Sequence, residues 1–389
     1  MTTSWGRILL IYGIGVLSAG QLGIVPPLVP ALQRDLGLSL PNAGMAVSIV
    51  TLIGALFGLL AGNWSERIGH GRALRIGLLI MASAAAICAA CDDGAMLLGA
   101  RGLAGIGYLL VVVASPSLMA VTSEPRHQPF TLSLWGTFVP AGIALSGIAA
   151  ASLVDRAGWR TVFAVDGVIL ALAFVVAIAT VPDIRAVRPA GPVIAASRWL
   201  GPSIPLSIAF FCFALVFLAL AGLLPAYLVV RHGLAADEAG RLVAIATAFG
   251  IAGSLLAGWM MRRGVAPGRL AAAGLIASAV VAALAFNMAA PGDREGLPLA
   301  MAGFTLSFAL GGLVPAATFA SVPRLAADAS AIGPINGLLA QAGSLGSLAG
   351  PPLLALWVGC AGWVLAPVLL LAIAAIGAAS ALAIAPPRP

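Results

Sequence analysis

The sequence predicts an all-α membrane protein, with twelve transmembrane helices forming two pseudo-symmetric six-helix bundles around a central cavity. Three observations carry that expectation. The chain has 389 residues, of which 61% are hydrophobic and only 8% charged, at a mean hydropathy of +1.09. A water-soluble chain of this length would need far more polar surface to cover its core. Second, apolar runs near the roughly 20 residues that cross a hydrocarbon core follow one another almost end to end. Third, parts of the first half return in the second. "LLAG" at 59–62 recurs at 255–258, and "GLSLPNAG" at 37–44 aligns with "GLAADEAG" at 233–240, both at an offset of 196. Gly71-Arg72 is echoed by Gly268-Arg269, and Gly158-Trp159 by Gly362-Trp363.

In chain order the predicted spans are 8–32, 41–63, 73–91, 95–120, 128–152, 161–181, 203–230, 239–261, 269–289, 298–321, 332–358 and 363–384. The first run is too long for a signal-peptide core and has no suitable cleavage site, so it should stay as a membrane helix. An even count puts both termini on one side, and arginine chooses which. With the termini inside, thirteen of the twenty arginines fall in inner segments and six in outer ones, and Arg101 lies within a span. That bias predicts a multi-pass protein of the inner (cytoplasmic) membrane with both termini cytoplasmic. The longest polar interval, 183–202, reads as a cytoplasmic linker between an N-terminal bundle (1–182) and a C-terminal bundle (203–389).

Other classes of protein fit poorly. Every basic residue is Arg, but these are scattered between apolar spans rather than gathered on one face, so no nucleic-acid partner is expected. Cys88 and Cys91 precede Asp92-Asp93, yet their spacing suits two small residues one helical turn apart better than a metal or redox site. The three histidines sit in separate loops, no intramembrane acids are paired, and no H-E-x-x-H motif occurs, which argues against an enzyme. There is no G-x-x-x-x-G-K-[ST] loop, so ATP is not the expected energy source and no cofactor is expected.

Parallel six-span halves are an architecture of secondary transporters. The fragment between spans two and three sharpens this, as Gly62-Asn-Trp-Ser-Glu66-Arg67-Ile68-Gly69-His70-Gly71-Arg72. It resembles the G-x-x-x-D-[R/K]-x-G-[R/K]-[R/K] motif of the major facilitator superfamily, with Glu for Asp and the basic pair stretched to His70 and Arg72. Arg101-Gly-Leu-Ala-Gly105 matches that family's span-four R-x-x-x-G, and Gly158-Trp159-Arg160 with Phe163 its motif before span six. The exporters' span-five motif is met only in part by Gly136-Thr-Phe-Val139-Pro140-Ala-Gly142; Gly346-Ser-Leu-Ala-Gly350-Pro351 in span eleven is closer. The resemblance implies alternating access, with Gly62, Glu66, Arg67, Gly69 and Arg72 as a gating latch. Gly69 and Gly71 should permit the loop's tight turn, and Glu66 should face the N-terminus of span eleven around Ser330–Ile335, where a helix dipole favours a carboxylate.

Substrate chemistry should lie in the few polar groups at membrane depth. Arg101 is about 10 Å into span four at 1.5 Å per residue, and its neighbour Gly105 should leave the guanidinium fork accessible. Asp166 is the one acid well inside a span, and Gln21 stands in span one. Tyr108, Trp135, Thr137, Tyr227, Asn336 and Gln341 are candidates to line the cavity, though each also suits ordinary helix packing. A deep Arg points to a small organic anion moved with protons. The alternatives are proton-coupled efflux of drugs or lipophilic metabolites and a non-transporting sensor on the same fold. The expected partners are a small-molecule substrate, protons and the bilayer, with the chain acting as a monomer.

Overall fold

The computed structural model describes residues 3–38, 40–183, 197–290, 292–326 and 331–384. Arg185, Arg188, Ser330, Arg388 and most of the interval 183–202 lie outside the described residues. Among the described residues, twelve helical spans are long and apolar enough to cross a membrane. Spans 1 to 6 are Trp5–Leu36, Gly44–Ile68, His70–Ala90, Gly94–Thr122, Gln128–Val154 and Arg156–Thr180. Spans 7 to 12 are Trp199–His232, Glu238–Arg262, Pro267–Ala285, Leu297–Leu325, Ile332–Ala361 and Trp363–Leu382. The all-α, twelve-span expectation therefore holds.

Several spans are broken, each for a local reason. In span 1 an α-helix runs Trp5–Gly23, and after a short 3-10 turn at Pro26–Leu28 the chain resumes as an α-helix at Val29. Pro26 and Pro27 lack the N–H groups that the carbonyls of Leu22 and Gly23 would need, so the helix stops there. Spans 8 and 10 break at Phe249 and Gly312, where the two cross closely. A Cβ at Gly312 would strike the Gly250 backbone, and Ser254 Oγ donates to the Gly312 carbonyl at 2.7 Å.

The duplication is visible in the backbone. Three repeat-related glycine pairs adopt positive φ: Gly37 (63°) with Gly233 (67°), Gly69 (98°) with Gly264 (91°), and Gly158 (78°) with Gly362 (75°). Such angles exclude most side chains, so the repeated loops share a geometry that the sequence echoes only marked.

The described chain separates into two compact units. The first falls within 1–128, 138–193 and 328–341, and the second within 129–137, 194–327 and 342–389. In the first, a core of Leu28, Leu32, Cys88, Leu97, Trp159 and Phe163 closes one end. Trp159 donates Nε1–H to Asp35 Oδ2 at 2.9 Å, and Arg160 lies over its ring while bonding the Cys91 carbonyl. In the second, Tyr227, Phe286, Phe304 and Trp363 form an aromatic cluster edge to face. Small residues bring helices close in both units. Gly142 sits against the Val16 carbonyl and Ala19, and Gly346 and Gly350 against the carbonyls of Phe211 and Leu215. Packing thus accounts for the glycines of spans 5 and 11.

Candidate functional site

Arg101 lies on span 4, which Asp93 caps by accepting from the Met96 N–H at 2.8 Å. Its side chain is 1% exposed. A charge at this depth costs at least about 2.5–3.5 kcal/mol on insertion scales, so it requires partners, and it has them. Nη1 donates to Gln21 Oε1 at 2.8 Å, Nη2 to the Gln21 carbonyl, and Nε to the Ala46 carbonyl at 3.1 Å. The Gln21 carbonyl is among the last four of its helix, which lack intrahelical donors, and the negative end of that helix suits a cation. The proline break in span 1 therefore creates half of the arginine's binding site. Gln21 then donates Nε2–H to Asp166 Oδ2 at 2.7 Å. Its amide is oriented from both sides, with the oxygen toward the arginine and the nitrogen toward the carboxylate. Asp166, Gln21 and Arg101 thus form one hydrogen-bonded chain across spans 6, 1 and 4. The guanidinium fork is engaged rather than open. Gly105 serves the packing of span 4 on span 2, since a Cβ there would lie 3.0 Å from Val50 Cα.

A second polar cluster joins the end of span 2 to the start of span 11. Glu66 Oε1 accepts the Gly333 backbone N–H at 3.0 Å, and His70 Nε2 lies 3.0 Å from the same oxygen. Ser65 Oγ is 2.8 Å from His70 Nδ1. An ionised carboxylate only accepts, so Nε2 carries the proton toward Glu66, and Nδ1 accepts from the serine hydroxyl. Beneath this, Gly58-x-x-x-Gly62 crosses Gly333-x-x-x-Gly337. A Cβ on Gly62 would fall 2.6 Å from the Gly333 carbonyl and 3.0 Å from Gly337 Cα. Gln341 completes the crossing by donating to the Ala55 carbonyl at 2.9 Å and accepting from the Leu59 N–H at 3.3 Å. Arg72 pairs with Asp183 at 2.6 Å, and Arg75 donates to the Val181 carbonyl at 2.9 Å. Gly69 makes the turn, as expected. Gly71 instead lies inside the helix His70–Ala90, where a Cβ would clash with the Pro182 carbonyl.

The family model described as Major Facilitator Superfamily matches residues 11–351. The chain belongs to the Major Facilitator Superfamily. Members of this family are transporters rather than enzymes, so the chain is a multi-pass secondary transporter. It is 28% identical over 359 residues to the probable nitrate/nitrite transporter NarK2 of Mycobacterium tuberculosis, covering 89% of this chain and 87% of that protein. It is 29% identical over 168 residues to the methylenomycin A resistance protein of Bacillus subtilis, a match that spans 42% of this chain and 36% of the relative. Among solved structures, the human organic anion transporter MFSD10 (TETRAN) superposes with a TM-score of 0.77 at 17% identity, covering 96% of this chain and 98% of that one. FucP in its outward conformation gives 0.76, also at 17% identity, covering 96% and 98%. Both share the facilitator fold.

The remaining residues singled out from sequence occupy varied surroundings in this facilitator chain. Tyr108 is buried on span 4. Asn336 donates to Ser117 Oγ at 3.0 Å, while its Oδ1 and, elsewhere on span 4, the Ser115 hydroxyl are buried and make no hydrogen bond among the described residues. Trp135 is buried at the end of the short helix Gln128–Trp135, just before Gly136 and Thr137, and belongs to the second unit. Tyr227 is held in the aromatic cluster, and its hydroxyl donates to the Phe286 carbonyl at 3.2 Å. Sequence reasoning missed His70 as a partner of Glu66 and Ser65 as the partner of His70. Their spacing of four residues was no helical signal, because Gly69 breaks the chain between the helix that ends at Ile68 and the one that begins at His70, and only the turn brings the two side chains together. Backbone acceptors such as Ala46 carry no sequence signal at all.

Proposed function

We propose that this transporter moves a small anion together with protons by alternating access, and that the Asp166–Gln21–Arg101 chain couples the two. The hydrogen-bonded chain itself is the observation that carries the reading. While Asp166 is ionised, Gln21 bridges two opposite charges, and the buried set is close to neutral. A proton on Asp166 removes the negative partner and leaves the Arg101 charge uncompensated at depth, where an unpaired ion is costly. An anion that enters restores neutrality. Each ligand then raises the affinity for the other, as linkage requires. Arg101 uses three of its five N–H groups on Gln21 and Ala46, so two remain to grip an anion once span 1 shifts. Asn336 and Ser115, with their unused polar atoms, are further proposed contacts, as is Tyr108. The printed name of NarK2, a nitrate/nitrite transporter, supports an anionic substrate.

Asp166→Asn mimics the proton-loaded state and tests the coupling. Uptake into proteoliposomes should lose its dependence on a pH gradient, while exchange of internal for external substrate persists. Arg101→Ala should lower substrate affinity by about 10- to 150-fold, the value of a charge-assisted contact, and Arg101→Lys should recover only part of it. Parental pH dependence in Asp166→Asn, together with parental affinity in Arg101→Ala, would sink the proposal.

We further infer that the moving bodies are the six-span halves 1–182 and 203–389, joined by the linker 183–202, in an inner membrane with both termini cytoplasmic. The arginine bias supports this orientation. It places the Glu66 cluster on the cytoplasmic side, as a latch closed in the outward-facing state. Reporter fusions after Ala190 and after Pro389 should both read cytoplasmic; a periplasmic reading at either site overturns the orientation.

A second reading, efflux of a lipophilic compound, draws support from an aromatic ladder. Phe210, Phe213 and Phe217 on span 7 contact one another at ring distances of 5.9 and 5.5 Å, and Phe308 and Phe319 flank them. A thermal-shift screen separates the readings, because a true ligand stabilises the fold. Stabilisation by hydrophobic cations and not by small anions would favour efflux.

A further inference from the structure

Spans 2, 3 and 4 leave an open groove of about 680 Å³ on the surface of the first unit. Its wall on span 2 repeats one helical face, Ile53, Phe57, Leu60, Trp64 and Arg67, with spacings of three or four residues. Ile106 and Leu110 of span 4 form the opposite wall. Phe57, Leu60 and Ile106 are 47%, 62% and 42% exposed, so an apolar surface of this kind meets lipid rather than protein. The groove is not apolar throughout. Asn63, Trp64 and Arg67 mark one end, where the uncharged run of span 2 gives way to the charged loop. A tryptophan beside a basic residue is the usual composition of a membrane interface.

Three features together select the occupant. From Ile53 to Arg67 is 14 residues, or about 21 Å along a helix, which matches one leaflet of roughly 15 Å of hydrocarbon plus the start of the headgroup layer. Arg67 is exposed and makes no ion pair or hydrogen bond among the described residues, unlike Arg72, Arg75 and Arg101. The nearest carboxylate along the chain, Glu66, is already engaged by the Gly333 N–H and His70. A free guanidinium at the interface end of a leaflet-length apolar groove is complementary to a phosphate at the head of an acyl chain.

We propose that this groove binds one anionic phospholipid, with an acyl chain between spans 2 and 4 and its phosphate on Arg67. The bound lipid steadies the last turn of span 2, from which Glu66 reaches span 11.

The test is native mass spectrometry of the purified, delipidated full chain, titrated separately with phosphatidylglycerol and phosphatidylcholine. The first phosphatidylglycerol should bind about fivefold more tightly than phosphatidylcholine, the value of one interfacial arginine. Arg67→Gln should bring that ratio to about one while leaving phosphatidylcholine binding unchanged. Ile106→Trp, which fills the groove, should weaken both lipids and keep their ratio; elution as a monodisperse peak confirms that this variant is folded. Soluble glycerol 3-phosphate should neither bind nor compete, since the site takes a lipid and not a free phosphate. Equal binding of the two lipids by the parent, an unchanged ratio in Arg67→Gln, or competition by glycerol 3-phosphate overturns the proposal.

Discussion

The end of span 2 and the end of span 8 are related by the internal repeat, and they solve the same packing problem with different chemistry. Gly62 of span 2 crosses the start of span 11 at Gly333 and Gly337; Gly258 of span 8, its repeat partner, crosses the start of span 5 at Ser133 and Phe130. Four residues further on, the repeat places Glu66 in one and Arg262 in the other. Glu66 accepts a backbone N–H and faces His70, with its side chain only 11% exposed. Arg262 is exposed and lies 5.2 Å over the Phe130 ring. The close approach has therefore survived in both copies, whereas the polar fastening is strong in one and weak in the other. Close helix approach follows from the absence of a side chain and is preserved wherever glycine is. A directed hydrogen bond needs a matched pair, and the copies are free to differ in it.

The largest difference between the copies should come from filling the two crossings. At Gly62 the obstacle to a Cβ is backbone, the Gly333 carbonyl at 2.6 Å, which cannot rotate away. Gly62→Ala should cost about 1–3 kcal/mol, as overpacking does, and Gly62→Leu should abolish a stable fold. At Gly258 the obstacle is the Ser133 side chain, so Gly258→Ala should be milder, and Ser133→Gly should recover part of the loss. Melting temperatures of the purified variants check this. Equal losses in the two copies would mean that backbone contact is not what sets the crossing.

The first copy also shows what the sequence could disclose. Span count and repeated loop glycines were legible because they follow from apolar run length and covalent geometry, whereas span 1, expected as one run over 8–32, proved to be broken at Pro26-Pro27. Arg101, Gln21 and Asp166 were legible because a polar group at membrane depth is rare. Their union in one chain was not, since it depends on how spans 1, 4 and 6 face each other. Glu66 was expected to meet the start of span 11, and it does so at Gly333. His70 looked like a substitute for a basic residue, yet it is 3% exposed and meets Glu66 across the Gly69 turn. Gly71 looked like a turn residue, and only the Pro182 carbonyl beside it reveals a packing role.

Removing charge from the strong fastening should have an intermediate effect. Glu66→Gln keeps an acceptor for the Gly333 N–H but loses the charge that favours a helix N-terminus and that strengthens the hydrogen bond from His70. A loss of about 1 kcal/mol, or roughly five- to tenfold in the latch equilibrium, is expected. Spin-label distances between the ends of spans 2 and 11 should shift toward the separated population, and transport should fall while expression holds. Unchanged distances with full transport would reduce Glu66 to a loop residue.

The smallest effect belongs to the second copy. A cation over an exposed aromatic face contributes about 0.5–1 kcal/mol, and here no carboxylate or backbone N–H among the described residues reinforces it. Arg262→Ala should therefore move the separation of spans 8 and 5 by no more than two- to fivefold, with transport close to the parent. Arg262→Lys should be nearly silent, because an ammonium keeps the charge that the ring attracts. Arg262→Glu is the sharper variant. It would recreate the charge of the first copy without a partner positioned to receive it, and it should loosen the crossing further than Arg262→Ala does. Should Arg262→Glu instead tighten the spans, the start of span 5 must offer a donor equivalent to Gly333, and the two copies would be alike in chemistry as well as in packing.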